Sequence, residues 1–561
     1  MDSPFSLVLD TNYIPTDAEA RQIQNLLSQP ISSISRLDSE ISRMQAIIKD
    51  MSLTRDKLRN YVVSHRALLS PVRRLPPEVV AEIFVHCLPT NHNALMSIGE
   101  APLLLGRICR TWRDISISMP QLWCSLHVVI PLCVIRDPLI EDPSIEDTSC
   151  QSMKNWFARS GNLPLSISVM DCSWPRSSNN FDPPKPKKHP LIETLVQLSH
   201  RWKSLGLNVS SLSLKPMLAL TADDVPLLES IKTEERRAKE SLWSQCTFLR
   251  TARRLNNVSI RNVRRVSSLP FALPWAQLTR LSLKNWSSNS ESCSVSELLD
   301  ILRQCSKLES CTSNICADPS NPPNLSPVVL PVLQHLRIFA FESDDNRMLA
   351  RFFDLLIMPE LCELQVSVKP TTPSSREEPH LHFLSVLTRR SYPLEKLSLG
   401  LLAISEDELI EFLQVLPSLR VLVIGPPGED LSADNHSETT LHDRILRLLS
   451  PTKVSPDSLC PSLTTVKFTF GKHHNFSEDA LLDFINSRWQ PVHPGIARLE
   501  SVEISFNKGQ SDFEAQFKAF RLEGLDLSVT YSGCPRDSES SCKPRVLYLP
   551  GVGLQDEGEW E

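Results

Sequence analysis

From residue 278 onward a short apolar template, Leu-x-x-Leu-x-Leu, keeps returning: Leu278/Leu281/Leu283, Leu333/Leu336/Ile338, Leu361/Leu364/Val366, Leu394/Leu397/Leu399, Leu419/Leu422/Ile424, Leu463/Val466/Phe468 and Leu499/Val502/Ile504. Weaker copies precede it at Trp202/Leu205/Leu207 and Leu255/Val258/Ile260. The last two apolar residues of each copy stand two apart, the period of a strand with one buried face. Most intervals carry a helical stripe, at 295–305, 348–357, 381–389, 406–416, 441–449 and 478–489. Several stripes open with a polar residue and acids, as in Ser405-Glu406-Asp407-Glu408 and Ser477-Glu478-Asp479, which suit the positive end of a helix. One strand and one helix, recurring every ~25 to 45 residues, cannot bury an apolar face alone, whereas stacked neighbours bury a continuous core.

The expected fold class is therefore α/β, with an irregular leucine-rich-repeat-like solenoid over residues 201–510. The repeats depart from the standard consensus. Trp286 and Val263 stand in the register where a polar Asn would bridge neighbouring turns, so the ladder must be held by other means. An ordinary α/β domain with parallel strands would show the same local pattern and stays open as an alternative. On the arc, the outward strand positions form the candidate target-binding face: Arg280, Lys284, His335, Arg337, Phe339, Glu363, Gln365, Lys396 and Lys467. Such surfaces suit extended protein contacts.

Upstream, Ile34, Leu37, Ile41, Met44, Ile48, Met51, Leu58 and Val62 alternate spacings of three and four, with Arg55 interrupting one a-type position. Residues 31–70 hold no Gly or Pro, giving about four heptads of a coiled-coil-like helix. It would pair with a second copy, with a partner, or fold back on its own chain. Leu163, Leu165, Ile167 and Val169 alternate as a half-buried strand. Residues 138–150, acidic and poorly patterned, and 172–190, rich in Pro and Ser, read as loops or insertions. The basic run Lys185-Pro186-Lys187-Lys188-His189 reads as a solvated loop, with a nuclear-import signal as the sharper alternative.

Residues 75–123 hold two short amphipathic helices. Pro76 and Pro77 suit a first turn, Glu78 its positive end, and Val79, Val80, Ile83, Phe84, Cys87 and Leu88 recur at helical spacing until Pro89. Leu104, Leu105, Ile108, Trp112 and Ile115 stripe the second helix, and Leu122 and Trp123 follow as an anchor. A unit of fewer than ~60 residues does not comfortably stabilise itself, so the rest of the chain or a partner must cover it. Two generic helices of a larger α-domain are the plainer alternative.

At these residues the sequence resembles the F-box family. The opening Leu-Pro-x-Glu-(apolar) is met by Leu75, Pro76, Glu78 and Val79, and the following pair by Ile83 and Phe84. The later (Val/Ile)-Cys-x-x-Trp is met by Ile108, Cys109 and Trp112, followed by Arg113-Asp114-Ile115 and Leu122-Trp123-x-x-Leu126, elements common in fungal members. The link at 90–102 departs from a clear pattern and admits a short middle helix or an irregular loop. The resemblance implies an all-α F-box at 71–126 that docks onto a Skp-type adaptor and, through it, a cullin. The adaptor-binding residues it implies are Leu75, Pro76, Glu78, Val79, Ile83, Phe84, Ile108, Cys109 and Trp112. The implied role is substrate recognition for a Skp–cullin–F-box ubiquitin ligase, with an unknown target protein on the repeats. A scaffold without ubiquitin transfer is the alternative.

Composition excludes other classes. The formal charge of −6 supplies no strong field toward nucleic acid or an acidic membrane face. The Arg250, Arg253, Arg254, Arg261, Arg264 and Arg265 cluster lacks an aromatic stacking platform, which argues against nucleic acid. The 15 cysteines include no Cys-x-x-Cys; Cys87, Cys109, Cys305 and Cys362 read as reduced core residues, which points to the cytoplasm or nucleus. Residues 1–15 have no basic region of a secretory signal, and the apolar run 126–135, broken by Pro131, is too short for a membrane span. No phosphate loop, His-Glu-x-x-His or Gly-x-Ser-x-Gly occurs, and His473-His474 lacks the further ligands zinc requires. The chain is expected to be a non-catalytic subunit needing no cofactor or metal. Residues 1–30 are expected to be loosely ordered, 127–200 a linker with one strand, and 511–561 a C-terminal cap and tail.

Overall fold

The computed structural model describes residues 3–130, 143–171, 190–236, 246–261, 273–284, 293–316, 326–341, 348–369, 382–390, 392–400, 406–425, 441–451, 459–468, 474–491, 493–506 and 514–531. The basic run at 185–189 and most of the C-terminal tail lie outside them. The chain divides into two compact bodies, Met1–Ile83 and Phe84–Glu561.

The first body is dominated by α1, Asp17–Leu68. It starts well before residue 31, so 17–30 of the stretch expected to be loosely ordered is helical. The local cause is a capping box: Thr16 accepts from the Glu19 backbone N–H, and the Glu19 carboxylate accepts from the Thr16 N–H at 2.8 Å. Pro30 is carried inside the helix at the cost of one backbone donor. No residue of α1 is buried.

The second body is built on one parallel sheet. Its strands are β1 Ser125–Ile130, β2 Leu165–Asp171, β3 Trp202–Ser210, β4 Ser230–Arg236, β5 Asn257–Arg261, β6 Arg280–Lys284 and β7 Ser310–Cys316. It continues with β8 His335–Phe341, β9 Glu363–Lys369, β10 Lys396–Gly400, β11 Val421–Ile424, β12 Thr465–Phe468, β13 Ser501–Phe506 and β14 Asp526–Tyr531. Each strand pairs in parallel with its successor in the chain, and the short Cys293–Ser294 strand pairs beside β7. Parallel neighbours need a crossover, and helices supply it. Pro143–Arg159 lies between β1 and β2, Val295–Gln304 between β6 and β7, Glu406–Gln414 between β10 and β11, and Glu478–Trp489 between β12 and β13. The protein is therefore a mixed α/β chain with a long N-terminal helix and a large parallel sheet.

Register explains why the sheet is continuous. One column of residues runs from Leu126 through Ile167, Leu205, Ile231 and onward to Leu527, and it is buried on every strand. A second column, two residues along, runs from Val128 to Val529 and is buried except at that last residue. A slip of one residue would expose both columns, so the alternation fixes the pairing. The second column contains Thr233 and Ser313, and the first contains Cys311. Those polar or small substitutions hide β4 and β7 from an apolar template. β2 is the strand expected from the alternation at 163–169, and β1, at the border of 127–200, and β14, within 511–561, extend the same sheet.

Other local expectations change with the packing. Helix Pro143–Arg159 replaces the loop expected over 138–150. The stripe at 348–357 is a helix only over Met348–Asp354, and Leu356–Ile357 pairs with Val328–Val329 as a small parallel ladder. Of the four cysteines expected in the core, Cys305 is buried, Cys87 and Cys109 are exposed, and Cys362 is half-buried. Burial pushes the thiols of Cys246, Cys305, Cys311 and Cys460 up to about 12, so these four are inert packing residues.

Side-chain donors, buried at Arg201 and Arg488 and half-buried at Gln277 and Arg390, serve where the consensus Asn is missing. Gln277 Nε2 donates to Ala252 O and Leu255 O, both at 2.8 Å. Arg201 donates to Leu163 O from Nε at 3.0 Å, and Arg390 donates to Leu356 O and to Asp354 O. Arg488, wholly buried, donates from Nε to Leu449 O at 2.6 Å, and from Nη2 to Leu459 O at 2.8 Å and Cys460 O at 3.1 Å. In each case a side chain in one unit satisfies carbonyls of the preceding one. Burial lowers the Arg488 guanidinium to about 10, still charged at neutral pH. Arg488→Met leaves these carbonyls unsatisfied and is expected to cost on the order of 3 kcal/mol, read as a lower denaturant midpoint. Arg488→Lys is expected to recover only part of the loss, because one ammonium cannot match the fork.

Candidate functional site

Two surfaces emerge, one on the short helices near the N-terminus and one on the sheet. Helix α2, Pro77–His86, begins with Pro77 in its first turn, as the sequence suggests, while Pro76 stands just before it and its carbonyl accepts from the Val79 and Val80 N–H groups. Val80 and Phe84, four apart, are buried, whereas Val79 and Ile83 are 44% and 40% exposed. Leu75 is half-buried; Pro76 and Glu78 are exposed. Leu75, Pro76, Glu78, Val79 and Ile83 belong to the first body, and Phe84, Ile108, Cys109 and Trp112 to the second.

The second helix of the motif is not continuous. It divides into α3, Leu105–Ile108, and α4, Arg110–Ser118, because Cys109 turns to extended backbone and its Sγ accepts from the Trp112 N–H at 3.5 Å. Arg113 Nε ties the two pieces by donating to Gly106 O at 2.8 Å. Phe84 meets the half-buried Trp112 edge to face, with ring centroids 4.9 Å apart. Ile108 is 59% exposed, Cys109 exposed, and Ile117 46% exposed. The link at 90–102 holds no middle helix; Leu95 bridges to His127 at the outer edge of β1.

Trp123 fastens this unit to the sheet. It is buried, donates from Nε1 to Ser116 O at 2.8 Å, meets Trp156 edge to face at 4.8 Å, and carries the Arg159 guanidinium 4.4 Å above its ring. A polar cluster joins the same border: Asn93 donates to Ser168 Oγ at 3.0 Å and accepts from Ser125 Oγ at 2.9 Å, while His127 Nδ1 lies 2.8 Å from Ser168 Oγ. These partners were not legible from spacing, since Asn93 and Ser168 meet only through the fold.

On the sheet, register puts all nine residues of the expected face on the side opposite the buried columns. Arg280, Ser310, His335, Glu363 and Lys396 share one row across β6 to β10. Because β7 lies between them, Arg280 and His335 are two strands apart, about 10 Å, rather than neighbours. Glu363 is the hub. Lys396 Nζ approaches its Oε1 at 2.9 Å, Arg337 Nη2 at 3.2 Å, and His335 Nε2 stands 3.9 Å from Oε2. Burial pushes the Glu363 carboxyl up, but the Lys396 hydrogen bond and the charges of Arg337, Lys396 and His335 outweigh it and hold it below its ordinary value. Lys284 Nζ lies 5.5 Å from the centroid of the Phe339 ring. Gln365 occupies the row of Arg337, and Lys467, two strands beyond β10, pairs with Glu503 at 3.0 Å. Lys232 on β4 lies in the Arg337 row as well, and the Ile231/Thr233 alternation was the signal for it.

The face offers cations, amides and hydroxyls in rows. Among the described residues no group of three or more His, Cys, Asp or Glu stands where it could hold a metal, and no helix is long and apolar enough to cross a membrane.

His127 gives the border with the sheet a pH dependence. Its Nε2 is shielded and without a hydrogen-bond partner, and burial, with the charge of His92, lowers the ring to about 4 from 6.5. The unfolded chain therefore takes up the proton first: stability is full above about pH 6.5 and falls as pH drops toward 4. The expected loss is on the order of 2 kcal/mol, allowing for the partly exposed residue. His127→Gln is expected to flatten this slope in thermal unfolding between pH 7 and 5.

Set against known proteins, the chain matches no family model, and no curated protein matches it.

Proposed function

We propose that this protein is a substrate-recognition adaptor of a Skp–cullin–F-box ubiquitin ligase. Residues 71–126 act as the F-box and dock onto a Skp-type adaptor, which bridges to a cullin. The sheet from β3 to β13 acts as a leucine-rich-repeat-like solenoid whose outer face holds a target protein. The chain carries no nucleophile in this reading. It works in the cytoplasm or nucleus by holding target lysines at high effective concentration near a ubiquitin-conjugating enzyme.

The observation that carries the reading is the exposure of apolar motif residues on helices whose opposite sides are buried. Val79, Ile83 and Ile108 face solvent, while Val80, Phe84 and Leu105 are packed. Such residues, exposed on the side away from the packed ones, are of the kind that a partner's apolar groove would cover. Trp123 and its neighbours hold the helical unit of the second body against the sheet, which supports a fixed relation between Ile108 and the outer face of the sheet.

The test is co-purification of a Skp-type adaptor with the intact chain. Val79→Asp and Ile108→Asp alter exposed positions and are expected to reduce recovery at least tenfold while leaving the thermal transition within a few degrees. Leu75→Ala/Pro76→Ala/Ile83→Ala is expected to act in the same direction. Undiminished recovery by these variants would sink the docking assignment. Recovery of adaptor and cullin with no target stabilised on depletion would favour a scaffold instead.

A further inference from the structure

Helix α1 is 52 residues long and exposes a stripe of large apolar side chains, with Ile41, Ile48 and Leu58 at 51%, 63% and 61% exposure. A stripe of that length on a helix with no buried residue requires a second helix to cover it. The occupant can be argued from the positions of four charged or breaking residues.

Arg55 stands at an a position of the heptads that include Ile34, Ile41, Ile48 and Val62. In a parallel, in-register pair, two Arg55 side chains would face each other across the seam. Its contact with Asp56 at 2.8 Å neutralises part of each charge but leaves both guanidiniums against the apolar layer. Inverting one helix removes the clash. With Ile48 opposite Met51, Ile41 falls opposite Leu58, and Arg55 falls opposite Met44, whose flexible side chain can pack on the arginine stem. The same alignment brings Asp38 beside Arg59 of the other copy, twice by symmetry. In a parallel pair those residues would lie about 31 Å apart along the axis.

The extent of the helix agrees. Under this inversion residue 31 meets residue 68, so the overlap starts just after Pro30 and ends at Leu68, the last residue of α1. The stripe is thus complementary to itself in one orientation, the property of an isologous two-fold contact.

We propose that α1 is a dimerisation element and that two copies of this chain associate through an antiparallel coiled coil centred between Ile48 and Met51. The element is independent of the adaptor role and would stand if that role failed.

The intact chain is expected to show twice its 63.3 kDa mass by light scattering. Asp38→Arg turns two attractive pairs repulsive and is expected to weaken dimerisation about tenfold, and Asp38→Arg/Arg59→Asp is expected to restore it. Ile41→Asp/Ile48→Asp is expected to give monomer. Orientation is read by mixing one chain carrying Ile34→Cys with another carrying His65→Cys and identifying linked peptides by mass spectrometry. A 34-to-65 link supports the antiparallel pair. A 34-to-34 link, a monomeric intact chain, or a charge swap without rescue would each overturn the proposal.

Discussion

The parallel backbone ladder is the constraint on which the second body depends. Each strand from β1 to β14 hydrogen-bonds to the next in the chain, so pairing runs strand by strand along the sequence and every interior strand is held on both sides. Two buried residues per strand then align into two columns, and the helical crossovers cover the apolar side that the columns make. Such a structure grows by nearest-neighbour contacts, and its weak points are its edges and any unit with an unsatisfied carbonyl. Three arginines and a glutamine, buried or half-buried, address the second problem. Arg201, Gln277, Arg390 and Arg488 each reach back to carbonyls of the preceding unit, at a spacing that differs every time.

The first edge is handled by a different device. Leu95 bridges to His127, and the His127 N–H donates to Ala94 O at 2.8 Å, so the outer side of β1 is partly occupied. Asn93, Ser125 and Ser168 add side-chain bonds at the same place, and Trp123 locks α4 to the crossover helix Pro143–Arg159. The segment after α2 therefore does two jobs. Its buried residues finish the sheet, and Ile108 and Ile117 stand exposed on its other side.

The exposed face of the sheet shows how a carboxylate can organise a cationic surface. Glu363 has two positively charged neighbours and a histidine within 4 Å, and it holds Arg337 and Lys396 in place without cancelling them. With Arg280 and Lys284 on β6, four cations stand against this one acid, on a chain whose overall formal charge is −6. The contrast makes this a locally cationic part of the exposed face of the sheet.

The sequence by itself determined the strand period, most crossover helices, the heptads of α1 and the sidedness of the sheet. All of these follow from local spacing, because a strand repeats every two residues and a helix every 3.6. It also marked Val79, Ile83, Phe84, Ile108 and Trp112 as one class of apolar helix residues. Only the tertiary structure divided that class, burying Phe84 and leaving Ile108 in solvent, because burial depends on what packs against each side. The same holds for β4 and β7, whose columns accept Thr233, Cys311 and Ser313 once neighbouring strands supply the apolar cover. It holds for Arg488 too, which reads as a surface residue until carbonyls 25 to 39 positions earlier are brought around it. Periodicity is written locally, whereas the partners of a polar or half-apolar residue are set by contacts distant in the chain.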